Sequence, residues 1–174
     1  AYVVTVLFTY KLILLLTENN KPAATVGTLI LGLNPNFLYL STTPMTEPVL
    51  IASFTLSVFF LAKYIKTKEI LNLILGGIFV MASTLVRYDG WFLFICLTLL
   101  LLVWSLIALG KKKAEGKVLL FISIGGFGIV LWLLWNLTIF GDALYFIRGP
   151  YSAYVQQKVL RSVGQLPTEG NILL

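Results

Sequence analysis

The sequence contains no histidine and a single cysteine, Cys96. Without imidazole, these residues supply no histidine base, no histidine metal ligand and no histidine-based triad. With one thiol, set inside an apolar run, they supply no internal disulfide and no cysteine zinc site. Acid–base chemistry therefore falls to Asp, Glu, Lys or Tyr. Charge is scarce too: 11% of the 174 residues are charged, against about 25% in a typical soluble domain. Hydrophobic residues make up 59%, and mean hydropathy is +0.94. That balance excludes an ordinary water-soluble globule and a disordered tail. Nor does the net charge of +6 mark a nucleic-acid partner. The 13 Lys and Arg sit in short clusters between long apolar runs, the distribution that membrane topology requires.

What is there is a series of apolar runs, and they predict an all-α polytopic transmembrane helical bundle. A spanning helix needs roughly 20 apolar residues, within a range of about 17–25. Six spans are expected, near 1–16, 22–40, 48–62, 70–86, 91–109 and 118–140. A bundle over 1–140 is then followed by an extracytoplasmic interfacial segment over 141–174, leading to a further span. No charged leader with a cleavage site is present. Both ends lie in apolar runs, so the expectation is an internal piece of a longer protein.

Lysine sets the expected orientation. The loops after the first, third and fifth spans carry Lys21; Lys63, Lys66 and Lys68; and Lys111, Lys112, Lys113 and Lys117. Short Lys-rich loops stay cytoplasmic. Residues 41–47, 87–90 and 141–174 then share the extracytoplasmic face, and they hold most of the other polar residues. The plasma membrane is the expected location.

Each of these segments has a plain and a functional reading. In the first, Thr46 or Glu47 caps a helix that has Pro48 in its first turn; alternatively, Glu47 binds a sugar hydroxyl. In the second, Arg87-Tyr88-Asp89-Gly90-Trp91 is a tight hairpin anchored by Trp91. Alternatively, Arg87 holds a phosphate with its planar fork while Asp89 orients it. In the third, Asp142, Tyr145, Arg148, Tyr151 and Tyr154 lie in an aromatic interfacial segment. Alternatively, the tyrosines stack on a sugar and Arg148 meets a phosphate. Nothing resembles a P-loop, a dinucleotide fingerprint or a metal-binding cluster.

Taken in order, three motifs carry a family resemblance. Pro44-Met45-Thr46-Glu47-Pro48 opens a helix, and Leu85-Val86-Arg87-Tyr88-Asp89-Gly90-Trp91 follows one span. Trp135-Asn136 then leads to Phe140-Gly141-Asp142, Tyr145-Phe146 and Gly149-Pro150-Tyr151-Ser152-Ala153. Over residues 33–157 the chain resembles the multi-pass glycosyltransferases of the GT-C superfamily, the class of protein O-mannosyltransferases and aminoarabinose transferases. The resemblance implies a polyprenyl-phosphate-linked sugar donor and a glycan, lipid or protein acceptor. It implies substrate contacts from Arg87, Tyr88, Asp142, Tyr145, Arg148 and Tyr151. In that family the principal catalytic Asp lies in the first outer loop, ahead of these residues, so Glu47 and Asp89 take supporting roles and the piece alone is expected to be inactive. No cofactor is specified, and a divalent cation is compatible with the reaction. The competing readings are a transporter or flippase for a lipid-linked or small polar solute, and a membrane scaffold without chemistry.

Overall fold

The computed structural model describes residues 1–150 and 152–163. Every regular element among them is helical: α1 (Tyr2–Leu16), α2 (Lys21–Gly32), α3 (Pro35–Thr42), α4 (Glu47–Thr67), α5 (Ile70–Val86), α6 (Asp89–Leu109), α7 (Lys111–Phe140), α8 (Tyr145–Arg148) and α9 (Ala153–Ser162). Two compact units divide the chain, Ala1–Ile129 and Val130–Leu174. Among the described residues, α4, α6 and α7 are long and apolar enough to cross a membrane, with 21, 21 and 30 residues. A fourth crossing is available if α2 and α3, bent by 58° at their junction, form one broken span. The other two of the six expected spans fall on α1 and α5, apolar helices of only 15 and 17 residues.

The expected span 22–40 is therefore not one helix, and the reason is local. Asn34 Oδ1 accepts from the N–H groups of Asn36 and Phe37 at 3.0 and 3.1 Å. Pro35 follows at the first helical position, where its missing N–H is not needed. A new helix thus starts while the apolar run continues. Asn34→Ala is expected to lower stability by about 1 kcal/mol, the usual worth of a lost cap. It should also raise amide exchange at Asn36 and Phe37; unchanged protection at both positions would mean that the cap is idle.

The lysine loops are corrected as well. Lys63 and Lys66 lie in the last turns of α4, and Lys111, Lys112, Lys113 and Lys117 lie within the start of α7. The links shrink to Lys68-Glu69 and Gly110, with Lys68 (φ 61) and Gly110 (φ 77) making the left-handed turns. Long aliphatic stems carry the ammonium groups outward while the backbone stays helical.

In the first unit, the core comes from four helices: Leu61 and Tyr64 of α4, Leu73 and Val80 of α5, Leu93, Leu97 and Leu101 of α6, and Val118 and Phe121 of α7. Helices α4 and α5 pack closely at Gly76, although the spacing would admit an alanine there. A Cβ at Gly76 would lie 3.5 Å from Leu61 N and 3.6 Å from Ser57 O, ordinary contact distances across α4 and α5. On α6, Gly90, Leu93, Leu97, Leu101 and Ser105 are buried at helical spacing, whereas Phe92, Ile95, Leu99, Val103 and Ile107 are exposed. A helix apolar on its exposed face as well as its buried one suits hydrocarbon rather than water.

Contacts sort the helix ends of this unit. The Tyr2 hydroxyl donates to Gly32 O at 2.7 Å, joining the start of α1 to the end of α2. Lys66 Nζ donates to Leu15 O, joining the ends of α4 and α1. Arg87 pairs with Glu47, joining the α5–α6 link to the start of α4. The Arg87 cluster and the lysine-bearing end of α4 thus lie at opposite ends of α4.

Candidate functional site

The α5–α6 link is only Arg87 and Tyr88, so the chain must reverse within two residues. Arg87 is extended (φ −157°, ψ 159°), which ends α5 and turns its side chain out of the helical path. Gly90 N–H donates to Arg87 O at 3.0 Å and Trp91 N–H to Tyr88 O at 2.9 Å, closing the turn. The Trp91 indole N–H donates to Thr84 O at 3.2 Å and so satisfies one of the carbonyls left over at the end of α5. Tyr88 meets Trp91 edge to face at 5.7 Å between ring centres. This tight turn holds Arg87 and Asp89 in place.

Glu47 comes from the other side. It stands in the first turn of α4, where the positive helix end favours a carboxylate. Thr46 occupies the cap position but makes no side-chain capping bond. Arg87 NH1 donates to Glu47 Oε1, and Arg87 Nε donates to Asp89 Oδ2 at 3.0 Å. One guanidinium thus bridges two carboxylates, leaving the formal charge of the cluster at −1. The side chains are 40% (Arg87), 31% (Glu47) and 67% (Asp89) exposed, so a ligand can reach all three.

Exposure also bounds the energetics. Exposed pairs contribute roughly 0–1 kcal/mol, because water and salt screen them. Asp89→Asn is therefore expected to lower stability by less than about 1 kcal/mol. Unfolding by titration with dodecyl sulfate measures this, and a much larger loss would show that the pair carries the fold.

The third segment belongs to the second unit. Asp142 Oδ1 accepts the Leu144 N–H at 2.9 Å, and its Oδ2 lies 3.7 Å from Arg148 NH1. Tyr145 stacks on Phe140 with ring centres 4.1 Å apart. Asp142, Tyr145 and Arg148 are thus gathered around α8 by local contacts, and Arg148 is 68% exposed. Tyr151 lies outside the described residues. No group of three Asp, Glu or Cys side chains able to hold a metal ion occurs among the described residues.

Of the residues singled out in the sequence, Glu47, Arg87 and Asp89 come together in one cluster, with Tyr88 on the same turn. The missed feature is the Arg87–Glu47 pair itself, which joins residues 40 apart and has no local signature. A lysine-lined cavity between α4 and α7 was missed as well; its signal was the spacing of Lys113 and Lys117, one helical turn apart. No family model matches the chain, and no curated protein or solved structure does either.

Proposed function

We propose that the chain is the central membrane part of a glycosyltransferase. It would move a sugar from a polyprenyl-phosphate-linked donor to a hydroxyl of a glycan, lipid or protein acceptor, at the extracytoplasmic face of the plasma membrane. One observation carries the reading: a guanidinium shared by two reachable carboxylates at one end of a bundle of apolar helices. Ionisable groups so close to hydrocarbon are costly and are kept mainly where they act. The order of the GT-C-like motifs adds support.

The chemistry suits these groups. The donor phosphate engages Arg87 N–H groups, and Asp89, the more exposed partner, is the one most readily released from the guanidinium. Its freed oxygens accept sugar hydroxyls. The acceptor oxygen then bonds to the anomeric carbon, and its proton passes to a carboxylate base. The bond between the anomeric carbon and the phosphate oxygen breaks, its electron pair stays on the phosphate, and Arg87 offsets that charge. Glu47 holds the guanidinium in place throughout. The principal base is the first-outer-loop Asp that the resemblance implies.

A second reading, movement of a lipid-linked or small polar solute across the bilayer, is favoured by the 58° break between α2 and α3. Broken helices often line transport sites. The full-length protein in vesicles, given a labelled polyprenyl-phosphate hexose and a hydroxyl acceptor, separates the two. Labelled acceptor and free polyprenyl phosphate are the products expected of the transferase. Labelled donor crossing the bilayer intact selects transport, and the absence of both results sinks both readings.

A further inference from the structure

At the end of α4 away from Arg87, the first unit has a cavity of about 520 Å³, within the range of about 300–1,000 Å³ typical of small-molecule sites. Four lysines line it: Lys68 after α4, and Lys112, Lys113 and Lys117 from the start of α7. Lys113 and Lys117 stand one helical turn apart and so share a face. Tyr64, 1% exposed, forms part of the wall, and Leu109 and Leu120 add apolar surface. The cavity is therefore amphipathic, basic on one side and apolar on another.

Two features separate this cavity from a merely solvated basic surface. First, among the described residues, none of the four lysines makes an ion pair with a carboxylate. Arg87 and Arg148 both have acidic partners, whereas the four lysines gathered at this cavity have no carboxylate counter-charge among the described residues. Second, one of them is held in place. Lys68 sits at a left-handed position (φ 61), its N–H donates to Tyr64 O at 2.8 Å, and its Nζ lies 3.7 Å from the centre of the Trp104 ring. Trp104 in turn packs edge-on against Tyr64 at 5.7 Å. Like charges on residues that line one cavity repel one another, and a multiply charged anion relieves that repulsion.

We propose that this cavity binds a phosphate-bearing anion carrying more than one negative charge, a phosphate monoester or a diphosphate. Lys68, Lys112, Lys113 and Lys117 supply the charge, and the apolar wall accepts whatever the phosphate is attached to. Basic pockets between membrane helices hold anionic headgroups in this way. The same chemistry is offered by the headgroup of a phosphomonoester lipid and by a soluble diphosphate. The site is separate from the Arg87 cluster and does not depend on the function proposed for it.

Gly116 permits a test that leaves the charges in place. It lines the cavity, and a Cβ there would meet no atom within 4 Å, so Gly116→Leu adds apolar bulk at the cavity from a position with open space around its first side-chain atom. The full chain is placed in phosphatidylcholine nanodiscs with and without phosphatidic acid, and separately in uncharged detergent with inorganic pyrophosphate. Binding is read as the ligand-dependent rise in melting temperature and as retained lipid by native mass spectrometry. Saturable binding of either probe is expected, weakening with salt. Lys113→Gln with Lys117→Gln, and Gly116→Leu alone, should each weaken it about tenfold or more. Phosphatidic acid bound without competition from pyrophosphate identifies a lipid headgroup; competition identifies a site open to soluble phosphates. If neither probe binds above phosphatidylcholine and sulfate controls, or if both variants bind as the wild type does, the proposal is overturned.

Discussion

Replacing Gly90 with alanine is expected to pull α6 away from α5 and destabilise the first unit by about 3 kcal/mol, the upper part of the usual range for overpacking. A Cβ at Gly90 would lie 2.2 Å from Ser83 O, 2.3 Å from Ser83 C and 2.7 Å from Thr84 N. All three atoms are backbone, so no side chain can rotate away. Ser83 O also accepts the Arg87 N–H at 3.2 Å, and Ser83 is itself fully buried, which leaves the last turn of α5 little room to yield. The glycine is required here by close approach and not by an unusual backbone angle. Gly116→Ala is the control, because it adds the same methyl where nothing lies within 4 Å. It should stabilise the helix by roughly 0.5–1 kcal/mol. Opposite signs for the two variants in dodecyl sulfate unfolding would support the packing described. Equal stability of Gly90→Ala and the wild type would mean that α5 and α6 do not meet as they do here.

The legible and illegible parts of the fold divide by the range of the interaction. α5 matches the expected span 70–86, and α6 starts two residues earlier than expected, because an apolar run between turn residues is a local signal. The lysine-bearing turns at the end of α4 and the start of α7 are helical although their charge predicts loops. In a helix the charge can leave along the side chain while the backbone continues. The break between α2 and α3 had its signal in plain view, Asn34 before Pro35, but it was outweighed by unbroken hydrophobicity across it. In the cluster, Arg87 and Asp89 were legible as neighbours in a short turn. Glu47 could be matched to Arg87 only once α4 and α5 had packed together, since nothing local links residues 40 apart. The cavity was hidden for the same reason, since it exists only where the end of α4 meets the start of α7.

Arg87→Ala in the full-length protein is expected to reduce sugar transfer by about 10²–10³-fold, the usual effect of removing a donor that meets developing negative charge. Stability should change little, because the Arg87 side chain is 40% exposed and its partners stay in contact with water. That separation makes the variant informative. A residue that only pins α4 to the α5–α6 link would lower stability and leave the chemistry of the folded fraction untouched. Arg87→Lys sharpens the distinction. An ammonium keeps the charge but lacks the planar fork that holds Glu47 through NH1 and Asp89 through Nε while presenting further N–H groups to a phosphate. Lysine should therefore keep wild-type membrane insertion and stability and recover transfer only in small part, with the loss in kcat rather than KM. Glu47→Gln should act more weakly and in the same direction, since it loosens the guanidinium without removing it. Wild-type transfer rates in Arg87→Ala would show that the guanidinium never meets the leaving phosphate, and the cluster would then be a staple between helices.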